Sequence, residues 1–449
     1  MSANTLRKSG AYRVRPPAEP TVVRPHSVKE LRAVLDAGAN LLPPFRPMGS
    51  GSSATECNTA IAGTVIDLTA MNQVSDIDLH DYTVTVQPGV RLRDLAATLA
   101  EQGLELEGSY DLANRTVGGA VAGGCIGPAI GDDGALFASQ VCNLKLVTPS
   151  GTQLSVGEEK RNLLSAMRLS YGMLGIIHEI TLRVRPIQPF SVSHRRCTIS
   201  QFAAASEKLA RTRVGVKFYL MPFRDRVYLD LRRYDDTAAD SGRLPWRLKD
   251  WGESTVLPHV FKSLNRIVPI AGVRYRLIDE ISKVTQGLVN NRLVSHGSNS
   301  ATQSSGSRAG RLHYSTWLFP ASDFSIVVQA YRDFCIRIQD DSGFRCDMPT
   351  MGFRLNQDQS ALLSPAFDEP MIAVRAMSTQ ESGWEDFAID FANFAQHWGG
   401  LPLFNQSRSL QSDYAREIFG SRLEFFRKMR RRLDPDNRLM NPFLSQYFL

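Results

Sequence analysis

Three glycine-rich stretches in the N-terminal half constrain this chain more than any other feature of its sequence. They are Arg-Pro-Met-Gly-Ser-Gly-Ser-Ser at 46–53, Thr-Val-Gly-Gly-Ala-Val-Ala-Gly-Gly-Cys-Ile-Gly at 116–127 and Tyr-Gly-Met-Leu-Gly-Ile-Ile at 171–177. Glycine lets backbone N–H groups approach an anion closely, and successive N–H groups form a phosphate-binding nest. Taken singly, the first stretch is equally well a turn and the second tight helix packing. No helical pattern follows Gly51 directly, which argues against a dinucleotide-binding G-x-G-x-x-G loop.

The residues between these stretches predict alternating strands and helices. Ser27 and Glu30 form a capping box before an amphipathic helix that ends near Gly38. Extended runs follow at 65–68 and 83–87, then a second helix at 92–99 and a hairpin at 144–156. A strand at 176–184 ends before Pro186. Further on, the sequence predicts strands at 312–319 and 372–376 and a helix at 412–433 with a basic last turn. The pattern is that of a mixed α and β protein.

In order and spacing, these motifs resemble the FAD-binding domain shared by vanillyl-alcohol oxidase, p-cresol methylhydroxylase and the sugar-1,4-lactone oxidases. Besides the three stretches, the resemblance includes Val-Ile-Asp-Leu at 65–68, Met71-Asn72 and Val-Gln-Pro-Gly at 86–89. Towards the C-terminus, the segments 354–365, 397–399 and 433–438 resemble the sugar-1,4-lactone oxidase branch. The segments 257–261 and 269–276 are more similar to the decaprenylphosphoryl-ribose oxidase branch.

The resemblance implies an α+β fold: a two-lobed FAD-binding domain of the p-cresol methylhydroxylase type and an α+β substrate domain. The implied boundaries are 14–187 for the FAD-binding domain, 188–410 for the substrate domain and 411–449 for a helical segment returning to the first domain. The implied cofactor is FAD. The residues expected to contact it are Met48, Gly49, Ser50, Gly51, Ser52, Ser53, Thr116, Gly118, Gly119, Gly123, Gly127, Ile177 and Asn405.

Departures from the family pattern predict that the flavin is held without a covalent bond. Many relatives have a histidine joined to the flavin in the first loop, where this chain has Ser52. Bicovalent relatives also place a cysteine before the Thr-Val-Gly turn, where this chain has Asn114 and Arg115. Cys125 lies out of register with that position and is interpreted as a small buried thiol.

For catalysis, the resemblance points to Arg354, His397 and Asp358. A guanidinium stays charged and can stabilise a reduced flavin or bind an acidic substrate, and an imidazole near neutrality can accept a hydroxyl proton. The alternatives are a strand arginine on the surface and a structural histidine beside Trp398. Gly352 and Gly400 stand where sugar-lactone and alditol oxidases have glutamate and lysine. The alternative is therefore a flavin-binding protein that has lost catalysis.

The expected function is an FAD-dependent oxidase or dehydrogenase acting on a carbon–hydroxyl group of a small molecule, such as a sugar derivative, with oxygen or another carrier as electron acceptor. A net charge of +7 is modest for 449 residues, and no nucleic-acid-reading motif accompanies it. The sequence has no run of about 18 apolar residues, so it predicts no membrane span. It also shows no spacing of metal-ligand residues that would predict a metal site. Six scattered cysteines without a recognisable export signal predict reduced thiols in the cytoplasm. The basic and aromatic segment 241–295 is either ordinary surface or a membrane-facing patch of an enzyme acting on a lipid-linked sugar.

Overall fold

The computed structural model describes residues 19–36, 40–107, 114–133, 136–235, 256–287, 293–296 and 312–449. The Ser/Gly-rich segment 297–310 and the part of the basic and aromatic segment before residue 256 lie outside the described residues. None of the described helices is long and apolar enough to cross a membrane. In the same residues, no three His, Cys, Asp or Glu side chains are grouped so that they could hold a metal ion.

The N-terminal part contains short strands and helices in alternation. The strands are β1 (Thr21–Val23), β2 (Phe45–Met48), β3 (Thr64–Asp67), β4 (Val74–Asp78), β5 (Thr83–Val86), β6 (Leu104–Glu105), β7 (Val141–Val147), β8 (Gln153–Gly157), β9 (Ile176–Arg183) and β10 (Arg185–Pro186). The helices are α1 (Val28–Leu35), α2 (Leu92–Glu101), α3 (Val117–Ala122) and α4 (Arg161–Met167). Helix α1 begins as predicted, because the Ser27 hydroxyl accepts a hydrogen bond from the Glu30 N–H.

Two larger sheets and the antiparallel pair of β6 and β10 form the N-terminal part. Strands β1, β3 and β2 pair in parallel, in that order, and β4, β5, β9, β7 and β8 form an antiparallel sheet. The predicted hairpin is the β7–β8 pair, in which Leu144 is opposite Val156. Buried Leu, Val and Ile side chains from this sheet join the main hydrophobic core. Burial of these side chains holds the three glycine-rich stretches in fixed relative positions.

The rest of the chain is built around a larger antiparallel sheet. Its strands are β11 (Pro189–Cys197), β12 (Gly215–Met221), β13 (Arg226–Tyr234), β14 (Leu293–His296), β15 (His313–Pro320), β16 (Thr350–Leu355), β17 (Met371–Ser378) and β18 (Leu401–Pro402). Their spatial order is β14-β11-β13-β12-β16-β17-β15-β18. The helices are α5 (Ile199–Ala210), α6 (Leu257–Ile267), α7 (Ala271–Gly287), α8 (Phe324–Ser342), α9 (Trp384–His397), α10 (Ser412–Leu433) and α11 (Pro442–Phe448).

The two faces of this sheet have different neighbours. On one face, Phe218 packs against Phe202 of α5 and Phe324 of α8, with ring centroids 4.9 and 5.9 Å apart. We call it the helix face. On the other, the Tyr314 hydroxyl donates to the Ser52 carbonyl oxygen at 2.7 Å. We call this the cleft face, because Ser52 belongs to the first glycine-rich stretch.

The C-terminal residues pack against the beginning of the chain. Helix α10 has the predicted bounds, with a kink at Gly420. The Phe45 N–H donates to the Arg438 carbonyl oxygen at 2.8 Å, and the rings of Phe404 and Phe448 lie 4.8 Å apart. These contacts bring the last residues beside the first glycine-rich stretch.

Candidate functional site

The three glycine-rich stretches meet at one open cleft with about 770 Å³ of empty space. It is lined by residues 46–53 after β2, by the start of α3 and by the turn before β9, with Asn405 added from the C-terminal half. Twelve of the thirteen residues expected to contact FAD line it: Met48, Gly49, Ser50, Gly51, Ser52, Ser53, Thr116, Gly118, Gly119, Gly123, Ile177 and Asn405. Gly127 is buried and is not among the lining residues.

Close backbone packing explains why small residues line this cleft. A Cβ atom at Gly49 would lie 2.0 Å from the Thr116 hydroxyl oxygen, so no side chain fits there. Gly51 has φ +68°, a conformation that glycine adopts without strain. The backbone of the first stretch therefore lies directly against the Thr116 side chain of the second, and the small residues leave N–H groups and hydroxyls as donors.

The charges around the cleft favour an anion. Its lining includes Arg46 and Arg115, and no Asp or Glu side chain is among the lining residues of the described chain. The Arg46 side chain is buried and donates to the carbonyl oxygens of Cys57, Tyr171, Gly172 and Leu439. Burial lowers the pKa of Arg46 to about 10, which leaves the guanidinium charged at neutral pH. A diphosphate in this cleft would meet positive charge and hydrogen-bond donors.

Asn405 joins the cleft to the C-terminal half. Its carbonyl oxygen accepts from the Ala54 N–H at 2.9 Å, and its side-chain oxygen accepts from the Gly124 N–H at 3.1 Å. One residue from the far end of the sequence thus connects the first two glycine-rich stretches. Its expected position beside the flavin ring system stays a prediction.

A polar cluster on the cleft face was missed by sequence reasoning. Arg375 donates to the Thr316 hydroxyl at 3.0 Å and to the Gln406 side-chain oxygen at 3.1 Å, and its guanidinium lies 5.6 Å from the Tyr314 ring centroid. The Gln406 amide in turn donates to the Gly124 carbonyl oxygen. The available signal was a single charged residue in the otherwise apolar run Met-Ile-Ala-Val-Arg-Ala-Met at 371–377.

Neither the three residues expected to act in catalysis nor Arg375 is among the residues that line the cleft; they differ from Arg375 in where they lie on the fold. Strand register pairs Arg375 with Met351 and Val374 with Gly352, so alternation puts Gly352 and Arg354 on the helix face. Arg354 is buried there, and desolvation lowers its pKa.

Asp358 and His397 have other surroundings. The two Asp358 carboxylate oxygens accept from the N–H groups of Leu136 at 3.2 Å and Ser360 at 2.8 Å. His397, the last residue of α9, is exposed, and its ring lies edge-on to the Trp398 ring. Their catalytic roles, like that of Arg354, stay predictions from the resemblance.

Packing accounts for the two glycines at the family's glutamate and lysine positions. A Cβ at Gly352 would lie 2.2 Å from the Phe218 ring, and one at Gly400 would lie 2.8 Å from the Ala395 carbonyl oxygen. Neither position has room for a side chain in this fold. The glutamate and lysine of the family pattern therefore have no counterpart at these two positions.

Both fold and cleft define a flavin-binding protein of the p-cresol methylhydroxylase fold type. A cholesterol oxidase from Brevibacterium sterolicum has the same fold, with a TM-score of 0.77 at 13% identity over 99% of this chain and 100% of that one. Residues 20–157 match the model of an FAD-binding domain, and residues 180–447 match the model of D-arabinono-1,4-lactone oxidase. The second match covers more than half of the chain, which therefore belongs to the D-arabinono-1,4-lactone oxidase family.

Individual relatives match over shorter stretches. L-gulono-1,4-lactone dehydrogenase of Mycobacterium tuberculosis H37Rv is 30% identical over 210 residues, 47% of this chain and 48% of that protein. The mitochondrial L-galactono-1,4-lactone dehydrogenase 2 of Oryza sativa is 34% identical over 36% of this chain and 27% of its own length. Mouse L-gulonolactone oxidase is 31% identical over 36% of this chain and 37% of its own length. The chain thus spans about half the length of the mycobacterial relative and less of the other two.

Proposed function

We propose that this chain binds FAD in the glycine-lined cleft and oxidises a carbon–hydroxyl group of a sugar-derived small molecule. The cleft carries this proposal, because its lining combines close-packed glycines, hydroxyls and two arginines without a carboxylate. Bound FAD supplies the hydride acceptor. The names of the relatives, all acting on sugar-1,4-lactones, support a substrate of that class.

In this proposal the residues 49–53 hold the diphosphate, and Thr116, Gly118 and Gly119 lie against the rest of the cofactor. Arg46 adds positive charge while staying bound to backbone carbonyl oxygens, so it needs no rearrangement when the anion enters. The domain boundaries near residues 187 and 410 remain part of the proposal. The separation of the two antiparallel sheets supports the first of them.

We propose that the flavin is held without a covalent bond. Among the cleft-lining residues in the described part of the chain there is no histidine, and the one thiol is Cys57, whose sulfur lies 3.3 Å from the Ser53 hydroxyl. The Ser52 hydroxyl lies 2.5 Å from that of Ser50 and cannot form the histidyl bond found in relatives. Acid precipitation of the purified protein should leave the yellow colour in the supernatant. Fluorescence on the denatured polypeptide would contradict the proposal and direct attention to Cys57.

On the substrate side, we propose that Arg375 faces the reacting groups. It is fixed by Thr316 and Gln406, and Gln406 also contacts the backbone of the cleft at Gly124. A guanidinium held in this way can stabilise negative charge on the flavin or orient a substrate oxygen. The Tyr314 hydroxyl, bonded to the Ser52 carbonyl oxygen, fixes the distance between the cleft face and the first stretch.

Anaerobic titration of the purified protein with a panel of sugar-1,4-lactones, alditols and simple alcohols tests the reaction. We expect at least one lactone or alditol to bleach the flavin absorbance, with the Arg375→Ala variant reduced more slowly. If dithionite bleaches the flavin and no member of the panel does, the protein binds flavin without this activity. Repeating the reduction in air and with an artificial acceptor distinguishes an oxidase from a dehydrogenase. Cytoplasmic localisation stays a prediction, since the name of the rice relative is that of a mitochondrial protein.

A further inference from the structure

Helices α6 and α7 form a hairpin that is anchored to the large sheet through one face only. Leu257, Phe261, Tyr275 and Ile278 form a buried cluster with Met348. Polar contacts add to it: the Asn265 amide donates to Asp347 at 2.7 Å, and Asp279 is bonded by Arg224 at 3.0 Å and by Arg345. These contacts fix the hairpin in the fold.

The turn of the hairpin carries apolar side chains that this anchoring does not use. We call residues 267–277 the apolar tip. The exposed fractions are 75% for Ile267, 66% for Ile270, 48% for Val273 and 42% for Leu277. In Ile-Val-Pro-Ile-Ala-Gly-Val at 267–273, every residue is exposed or half-buried. Scattered exposed apolar residues are normal, but a contiguous exposed run at the turn between two helices indicates a contact surface.

The charged side chains that the hairpin carries up to residue 278 are all basic, and the carboxylates that follow, Asp279 and Glu280, both pair with Arg224. Residues 256–278 include Lys262, Arg266, Arg274 and Arg276 and no Asp or Glu. The Arg274 guanidinium donates to the Val268 carbonyl oxygen at 3.2 Å and so holds the turn closed. Arg266 and Arg276 are exposed, and neither makes an ion pair within the described residues. By contrast, Arg183, Arg211 and Arg408 on other surfaces are each paired with a glutamate.

We propose that the apolar tip docks on the surface of an anionic phospholipid bilayer. Its isoleucines and valine would enter the interface between head groups and acyl chains, while Arg266 and Arg276 would contact lipid phosphates. A membrane fits better than a second copy of this chain, since a symmetric contact through the tip would bring unpaired arginines together. The proposal does not rest on the proposed reaction, because none of these residues lines the cleft.

Flotation of the flavin-loaded protein with vesicles tests the proposal. We expect binding to vesicles of phosphatidylcholine with phosphatidylglycerol, little binding to phosphatidylcholine alone, and release as salt is raised. Replacing Ile267 and Ile270 together by serine should weaken binding by about tenfold or more. The control is Ile326→Ser with Ile389→Ser, which removes two isoleucines exposed by 58% and 47% on α8 and α9 and should leave binding unchanged.

Charge reversal tests the electrostatic part separately. Arg266→Glu with Arg276→Glu should weaken binding to anionic vesicles by about tenfold or more. The matched control, Arg431→Glu with Arg432→Glu on exposed residues of α10, should change it by less than about threefold. Flavin content and oligomeric state without vesicles confirm that each variant is folded. Equal binding by both pairs, no binding by the parent protein, or a parent dimer that Ile267→Ser with Ile270→Ser dissociates would each overturn the proposal.

Discussion

The cofactor cleft and the cleft face of the large sheet differ in what their function depends on. The cleft is lined by backbone groups and small side chains from short contiguous stretches, as at Gly49 and Gly51. On the sheet face, long side chains from distant segments meet, with Arg375, Thr316 and Gln406 as the clearest case. The lining of the cleft therefore follows largely from local sequence, whereas the proposed substrate-facing cluster depends on strand register.

If the cleft depends on its backbone, one added side chain should empty it. We expect Gly51→Val to fold and to purify without flavin. A β-branched residue is strained at φ +68°, and its side chain would stand where the loop backbone must contact the cofactor. The measurement is the ratio of flavin to protein absorbance. The control is Gly103→Val: Gly103 has φ +70° and open space around it, and it does not line the cleft. That variant should melt lower and keep its flavin. Stoichiometric flavin in Gly51→Val would contradict the assignment of the loop.

If the sheet face depends on single side chains, Arg375→Ala should bind flavin normally and slow its reduction by about ten- to a hundredfold. That range follows from about 1.5–3 kcal/mol for a charge-assisted hydrogen bond. Stopped-flow reduction by the best substrate measures it. Arg354→Ala is the matched comparison: Arg354 is buried on the helix face, so we expect its loss to lower the melting temperature more than the rate. Slow reduction in Arg354→Ala with an unchanged melting temperature would reverse the two roles.

The N-terminal part and the large sheet meet at a largely buried ionic cluster, which should make the stability of their contact depend on pH. Arg185 contacts Glu105 at 2.9 Å, Asp133 at 3.0 Å and the Tyr234 hydroxyl at 2.6 Å. Burial raises the pKa of Glu105 from 4.5 to about 7, although Arg185 opposes this shift. Between these values the folded state binds the proton that the unfolded state has lost, so stability falls as pH rises from about 4.5 to 7. The full effect is on the order of 3 kcal/mol.

Glu105→Gln provides the measurement for this cluster. Glutamine does not titrate, so the variant should lack this part of the fall in melting temperature between pH 5 and pH 8. Parallel melting curves for the parent and the variant across that range would show that Glu105 stays ionised beside Arg185.

The smallest effect is expected at His397. Its ring is exposed at the end of α9, so His397→Gln should leave the reductive rate within about twofold and the pH profile unchanged. If His397 is instead the general base predicted from the sequence, the limb of the pH profile near neutrality should disappear in the variant. Loss of that limb with unchanged stability would return His397 to the mechanism.

The sequence by itself determined the local conformations and the cofactor region. Ser27 begins α1, the predicted bounds of α10 are those observed, and the first and second glycine-rich stretches line one cleft. The helix start and the glycine conformations depend on residues within a few positions of one another, because a cap bonds three residues ahead and a glycine in a turn fixes its own backbone. The meeting of the two stretches was predicted by their resemblance to family motifs and not by neighbouring residues.

Only the tertiary structure decided which arginine lies on the cleft face of the large sheet. Arg354 and Arg375 are both single arginines in apolar strands, and nothing in their neighbouring residues distinguishes them. The pairing of Arg375 with Thr316 and Met351 does, because side chains alternate and a shift of one residue moves every side chain to the other face. The same holds for Arg46, whose carbonyl partners include one nearly four hundred residues away at Leu439. Contacts between residues so far apart depend on the packing of the whole sheet, which no short stretch of sequence encodes.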